Sequence, residues 1–264
     1  MKKILTIIAI ILFSFFITGC INIPNDEVDT PDTNLPTDNP VDDEDKKEEE
    51  KPVTRPESAY TGIYYDTLDF GLKAEELKQA LRVLVQTTHK YHSTYSDCKF
   101  NLPNIDEDPN DPNKMILFYT GESIEKSFDL NNDWNREHVW AKSIGWFKND
   151  GAGSDLHHIR SCNIAVNSAR GNMKFGKASG YYEPTDEYKG DVARIIFYLM
   201  IAYSEADRYS FNSIAESKEI LLEWNKLDPV SELEILRNDK VEDIQGNRNP
   251  FIDYPVLADY IWEE

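Results

Sequence analysis

The sequence predicts an α+β fold, rich in helix, with a small β element in its middle. Three observations lead there. Beyond residue 190 come three stretches with helical apolar periodicity. A short apolar run, "KMILFYTG", ends at Gly121 and reads as one buried strand. Between Glu137 and Gly171, a strand end, a loop, a second strand and a short helix succeed one another in 35 residues.

The elements follow in chain order. "MKKILTIIAIILFSFFITGC" has two lysines, an apolar run from Ile4 to Ile17, and small residues before Cys20, the pattern of a secretory signal peptide. The ending "ITGC" resembles a bacterial lipobox, which makes residues 1–19 the leader and Cys20 the lipidated first residue of the mature chain. The apolar run is short for a plain membrane anchor, which needs ~20 residues. Residues 20–58 form an acidic tether, rich in Asp, Glu, Pro and Thr, which cannot bury enough apolar surface to fold. A calcium-binding tail is the other reading of that composition. The domain proper is expected over residues 59–264.

Within it, Leu77, Leu81, Leu84 and Val85 fall on one helical face. "DEDPNDPN" reads as a turn-rich loop, without the Gly and closing Glu of an EF-hand. "DLHHIRS" reads as a strand with Leu156, His158 and Arg160 on one face and His157 and Ile159 on the other. "CNIAVNSARGN" suits a short helix capped by Ser161 or Asn163 and ended by Gly171. On it Asn163, Asn167 and Arg170 share a face, and such polar groups need partners if buried. "DVARIIFYLMIAYSEADR" is apolar almost all round and should be the buried central helix. "SIAESKEILLEWNKL" is an amphipathic helix stopping before Asp228-Pro229, and "VSELEILRNDKVEDIQG" a third ending near Gly246. The tail, with two prolines and several aromatics, should close the domain irregularly and finish on a short helix.

Charge bounds the function. The chain carries a formal −20. Residues 21–58 hold 13 acidic and 4 basic side chains, and the leader two lysines, leaving −13 for the rest. A protein that coats nucleic acid by bulk charge is thereby excluded. A local basic cleft is not, because Arg136 to Lys177 is net positive.

The run "NDWNREHVWAKSIG" followed by "DLHHIRSCNIAVNSARGN" resembles bacterial endonuclease I, the secreted nonspecific nucleases with a ββα-metal site. "ILFYTG", "GDVARIIFYLM", "LLEWNKLDPV" and "IQGNRNPFIDYP" extend the resemblance over roughly residues 72–262. It implies a helix-rich single domain built around a ββα-metal nuclease core. It implies Glu137 and Asn167 as metal ligands, His138 as general base, and Mg²⁺ as cofactor, with Mn²⁺ or Ca²⁺ as substitutes. It implies DNA as substrate, with RNA left open, and products bearing 5′-phosphates. Arg160, Arg170 and Arg248 become phosphate-contact candidates, with internal salt bridging as the alternative. Asp155 and His157 could hold a metal-bound water or the loop, and His158 has no chemical role. Ser161 stands where the family pattern usually has Pro.

A monomer is expected, lipid-anchored outside the cytoplasm through Cys20. Export also opens a disulfide between Cys98 and Cys162, with two buried free thiols as the alternative. Two other functions compete. A zinc hydrolase would use His138, His157, His158 and Asp155, but HExxH is absent. A ligand-binding lipoprotein would leave the Glu-His-Asn set unexplained.

Overall fold

A computed structural model of the chain describes residues 55–127, 134–203 and 209–263. The expected leader, the lipidated Cys20 and the acidic segment up to residue 54 lie outside the described residues. Described structure begins at Arg55, whose guanidinium donates to the Tyr254 hydroxyl and pairs with Asp66 at 3.3 Å. Ser58 donates to the Asp253 carbonyl. Residues 55–58, expected to be tether, therefore already pack on the domain.

The helical faces fall where the apolar spacing puts them. Helix α1 (Ala74–Thr88) buries Leu77, Leu81 and Val85. Helix α2 (Tyr95–Ile105) carries Pro103 and escaped a periodicity reading; Thr94 and Asp97 close a capping box at its start. The segment read as a loop is a hairpin: β1 (Glu107–Asp108) pairs with β2 (Asp111–Ile116), and β3 (Ser123–Glu125) completes an antiparallel sheet in the order β1-β2-β3. The aspartates that suggested a turn do make one, with Asp108 accepting from the Asn110 backbone N–H at 2.9 Å. The apolar strand ends earlier than expected, at Ile116.

A second, two-stranded sheet follows. β4 (Trp134–His138) runs antiparallel to β5 (Ile159–Asn163), with Glu137 opposite Arg160 and His138 opposite Ile159. Between them lie the short helix α3 (Lys142–Gly145) and a single 3₁₀ turn at Gly151–Gly153. Asp155 to His158, expected as strand, form a turn: the N–H groups of His158 and Ile159 both bond to the Asp155 carbonyl, at 3.0 and 2.9 Å. The strict alternation of His157 and His158 on a pleat is thus lost. Helix α4 (Ile164–Arg170) starts on Asn163, whose side chain caps the Ala165 N–H at 2.9 Å, and stops at Gly171, φ +54°.

Helix α5 (Asp186–Ala202) is the central one, buried from Lys189 to Ala202. Each large apolar side chain it removes from water stabilises by ~1.5–3 kcal/mol. Its Arg194 is wholly buried and grips Glu234 through Nε and Nη2, both at 2.7 Å. The expected second helix is split into α6 (Phe211–Ile214) and α7 (Lys218–Leu227), because Ala215 pairs with Phe175 in extended conformation. Helix α8 (Glu232–Gln245) ends on left-handed Gly246 as expected. Two short helices, α9 (Pro250–Asp253) and α10 (Leu257–Trp262), close the tail. Among the described residues no helix is long and apolar enough to cross a membrane.

The apolar interior has two parts. The larger joins α1, α5, α7 and the tail around Phe197, Trp224 and Phe251. The smaller, with Cys98, Leu102, Trp134, Ile159 and Val241, lies where α2, both sheets and α8 meet. Cys98 belongs to the smaller and Cys162 to the larger, and both are free thiols. The expected disulfide is therefore absent. Each sulfur instead faces a backbone carbonyl, Cys98 that of Ser154 and Cys162 that of Phe118.

Candidate active site

Helix α4 lies along β4, and this contact assembles the site. Asn167 donates through Nδ2 to the Asn135 side chain at 2.7 Å and to the Arg136 carbonyl at 3.3 Å. Both amide hydrogens are thereby committed to β4, which leaves Oδ1 as the open lone pair of the side chain. One helical turn on, Arg170 is 1% exposed. Its guanidinium donates to the carbonyls of His138, at 3.2 Å, and Val139, and stands 3.5 Å from Glu137 Oε1.

Glu137 is buried, and its Oε1 accepts from the Tyr119 hydroxyl at 3.0 Å. Burial pushes its carboxyl up to about 7, even against the pull of Arg170 and the Tyr119 hydroxyl. Tyr119 itself holds a left-handed backbone, φ +71°, costly for a bulky residue and confined to places the surroundings impose it. The result is a carboxyl whose ionisation one guanidinium at 3.5 Å and one hydroxyl do not fully support.

His138 is next on the strand. Its Nε2–H donates to the Gly153 carbonyl at 3.1 Å, which fixes the tautomer and leaves Nδ1 with a free lone pair. The ring is sandwiched by Tyr95, whose centroid lies 5.2 Å away at 29°, and the edge of His158. Burial pushes the imidazole down to about 3, so it is neutral at physiological pH. Gly153 can bring its carbonyl so close only because it lacks a side chain: a Cβ there would meet the Lys148 oxygen at 1.9 Å.

The two histidines that follow Asp155 have backbone duties. His158 donates from Nδ1 to the Ala152 carbonyl at 2.6 Å and accepts at Nε2 from the Trp140 N–H at 3.0 Å. Both nitrogens are used, consistent with its lacking a chemical role and incompatible with zinc ligation. His157 Nε2 donates to the Asn247 carbonyl at 3.0 Å. Asp155 is buried and accepts from the hydroxyls of Tyr198 and Tyr203, both at 2.6 Å, and from Gln245 at 3.1 Å. Burial alone would raise its carboxyl; the facing His157 and His89 and the two tyrosine hydroxyls outweigh it and hold the group at about 2. Among the described residues no three His, Cys, Asp or Glu side chains converge as a metal cluster.

The expected phosphate contacts are corrected. Arg160 is buried, bonded to Asp191 at 2.9 Å and packed over the Phe118 ring. Arg170 holds β4, as above. Arg248 is buried between Asp253, Glu242 and Asp239. An acidic domain answers its interior cations with carboxylates, so internal pairing takes all three. The cation nearer the surface is half-buried Arg136, which lies over the Tyr95 ring 3.5 Å from its centroid, with Lys142 over the same ring at 5.1 Å. Tyr95, Tyr119 and Gly153 went unnoticed in the sequence. The Thr94–Asp97 capping box, read as a helix start, would have flagged the first.

A family model described as Endonuclease I matches residues 73–182 and 178–256. The chain is 43% identical to an extracellular ribonuclease of Bacillus subtilis over 232 residues, 77% of this chain and 80% of that protein. It is equally similar, 43% over 233 residues, to an extracellular ribonuclease of Bacillus amyloliquefaciens, with 78% and 80% covered. A periplasmic deoxyribonuclease of Aeromonas hydrophila is 25% identical over 117 residues, 38% of this chain and 47% of that protein.

Proposed function

The chain belongs to the Endonuclease I family, and from that premise we propose that it is a divalent-metal-dependent endonuclease acting on RNA and DNA outside the cytoplasm, with His138 as general base and Glu137 and Asn167 holding the cation. Membership makes it a nuclease, a hydrolase of phosphodiesters. The observation that carries the finer reading is the distribution of hydrogen bonds. His138 and Asn167 each spend their donors on backbone or neighbouring side chains and keep one lone pair, Nδ1 and Oδ1.

The donor set fits a hard cation that retains most of its waters, as Mg²⁺ does. Glu137 brings a buried negative charge, and its raised carboxyl shows how poorly the protein alone stabilises the ionised form. Asn167 brings a neutral oxygen. When bound there, the cation supplies positive charge to the phosphate and the leaving oxygen. The protein's own part is to orient and to move a proton. Neutral His138 takes one from the attacking water at Nδ1, and the Gly153 carbonyl stabilises the imidazolium through the Nε2–H bond. Tyr95 and His158 keep the ring from turning. Arg170 holds the carbonyls of His138 and Val139, and with them the position of the base.

No base-reading module is present in the described fold, so cleavage should show little sequence preference. The names of the Bacillus relatives favour RNA as a substrate and that of the Aeromonas protein DNA. We place the enzyme on the outer side of the membrane, held by lipidated Cys20 and working as a monomer. The test is digestion of linear DNA, circular DNA and RNA in Mg²⁺ or EDTA, followed by end analysis. Cleavage of both polymers to scattered 5′-phosphate ends, abolished by EDTA, is expected. Full activity in EDTA, or one recurring cut sequence, would overturn the reading.

A further inference from the structure

The segment that carries Gly153 to His138 also carries an aromatic groove that the chemistry above does not use. Trp146 is 79% exposed, and of the five tryptophans the other four are at most 8% exposed. It is the C-cap of α3 and sits in left-handed conformation, φ +53° and ψ +33°. That position favours glycine, and leaving a large indole in water there gains nothing for the fold. Trp146 lines an open groove of about 220 Å³ with Lys148, Asp150, Tyr203, Tyr209 and the backbone of Gly151–Ala152. The groove borders the turn that supports the site: the carbonyl of Ala152, one of its lining residues, holds His158, and the next carbonyl along the chain, of Gly153, holds His138. Tyr209 is edge-on to buried Trp140 at 5.3 Å, which packs that wall against the interior.

We propose that this groove is a stacking subsite for one nucleobase of a single-stranded substrate, with Trp146 as its platform. The proposal rests on the nuclease reading. Its occupant follows from what lies in the groove and beside it. A base offers a flat face to an indole whatever its identity, which suits an enzyme without sequence preference. Lys148, exposed at the rim, supplies a cation for a flanking phosphate. A duplex hides the faces of its bases, so the subsite favours unpaired strands and loops over continuous helix. Trp146 would then be a binding residue remote from proton transfer.

The experiment exploits the single exposed indole. Iodide quenching of tryptophan emission is measured in EDTA, without turnover, as a short oligothymidylate is added to the full mature chain. Protection is expected from the oligothymidylate and much less from an abasic strand of the same length and charge. In Mg²⁺, Trp146→Gly should lower kcat/KM on the oligonucleotide about 10-fold, mainly through KM, while cleavage of bis(p-nitrophenyl) phosphate, which has no base, stays unchanged. Trp146→Phe should recover most of the loss. Trp146→Gly should melt at or above the wild-type temperature, because glycine relieves the left-handed backbone. Equal protection by the abasic strand, or wild-type oligonucleotide kinetics in Trp146→Gly, would overturn the proposal, as would an equal loss on the small diester. A wild-type protein that cleaves no nucleic acid would instead sink the nuclease reading, while the quenching result would still report on the groove.

Discussion

At His138 one hydrogen bond decides which nitrogen can act. The Gly153 carbonyl takes the Nε2 proton, so Nδ1 is the acceptor, and nothing in the residue order "EHVW" could have told the two nitrogens apart. His138→Ala should lower turnover ~10²–10⁴-fold while leaving the melting temperature near that of wild type. A variant within a few-fold of wild type at saturating Mg²⁺ would mean the base lies elsewhere. Asn163, Asn167 and Arg170 show the limit of reading a helix face. The three do lie at shared helical spacing, yet Asn163 caps the helix, Asn167 keeps an oxygen free, and Arg170 turns inward. Spacing gives direction around a helix axis; it does not say which polar groups will find partners in the interior.

Between elements the decisive contact is α4 against β4, with Arg170 as its clamp. Removing one side of a buried charge pair strands the other and typically costs ~3–5 kcal/mol. Arg170→Met should therefore lower stability by about that much in urea unfolding and disturb His138 through its carbonyl. A variant as stable as wild type but weakened in substrate binding would make Arg170 a phosphate contact instead. The legible elements were those with long periodic signals: Leu77, Leu81 and Val85 announce α1, and the apolar run after Asp191 announces α5. Short elements escaped for a physical reason. In "DEDPNDPN" two residues make the turn and two make β1, too few for any period to show. The turn at Asp155–His158 depends on Asp155 collecting tyrosine hydroxyls from a helix more than forty residues away in sequence, and no local window contains them.

Over the whole molecule, acid should be the weak side. His157 and His158 are held by burial at about 3 and about 4, against an ordinary value near 6.5. Below pH ~6.5 these two and His138, held at about 3, leave the unfolded chain binding more protons. Glu137 and Asp191, both held at about 7, make the folded chain bind more between pH ~4.5 and 7. The effects oppose one another there, and the histidines prevail below pH ~4.5. Each histidine can contribute up to about 1.4 kcal/mol per pH unit until its folded value is reached. Asp155, held at about 2, adds a further loss below pH ~4. Urea midpoints should therefore change little from pH 7 to 5 and fall steeply from pH 4.5 downward; a midpoint at pH 4 equal to that at pH 5 would show that these histidines are protonated in the fold. A separate expectation concerns the two sulfurs, one in each part of the interior. Thermal midpoints should be the same with and without dithiothreitol, and Ellman's reagent should count two thiols only after unfolding. A midpoint lowered by reductant would restore the crosslink. If the thiols are free, the fold keeps no covalent memory. A denatured chain diluted from urea has every instruction it needs, without oxidant or isomerase, and the same holds for a chain made in a reducing cytoplasm. An oxidising exterior is then no gate on activity: where the chain is exported as proposed, what separates an idle chain from a working nuclease is only the packing described above closing around Glu137 and His138.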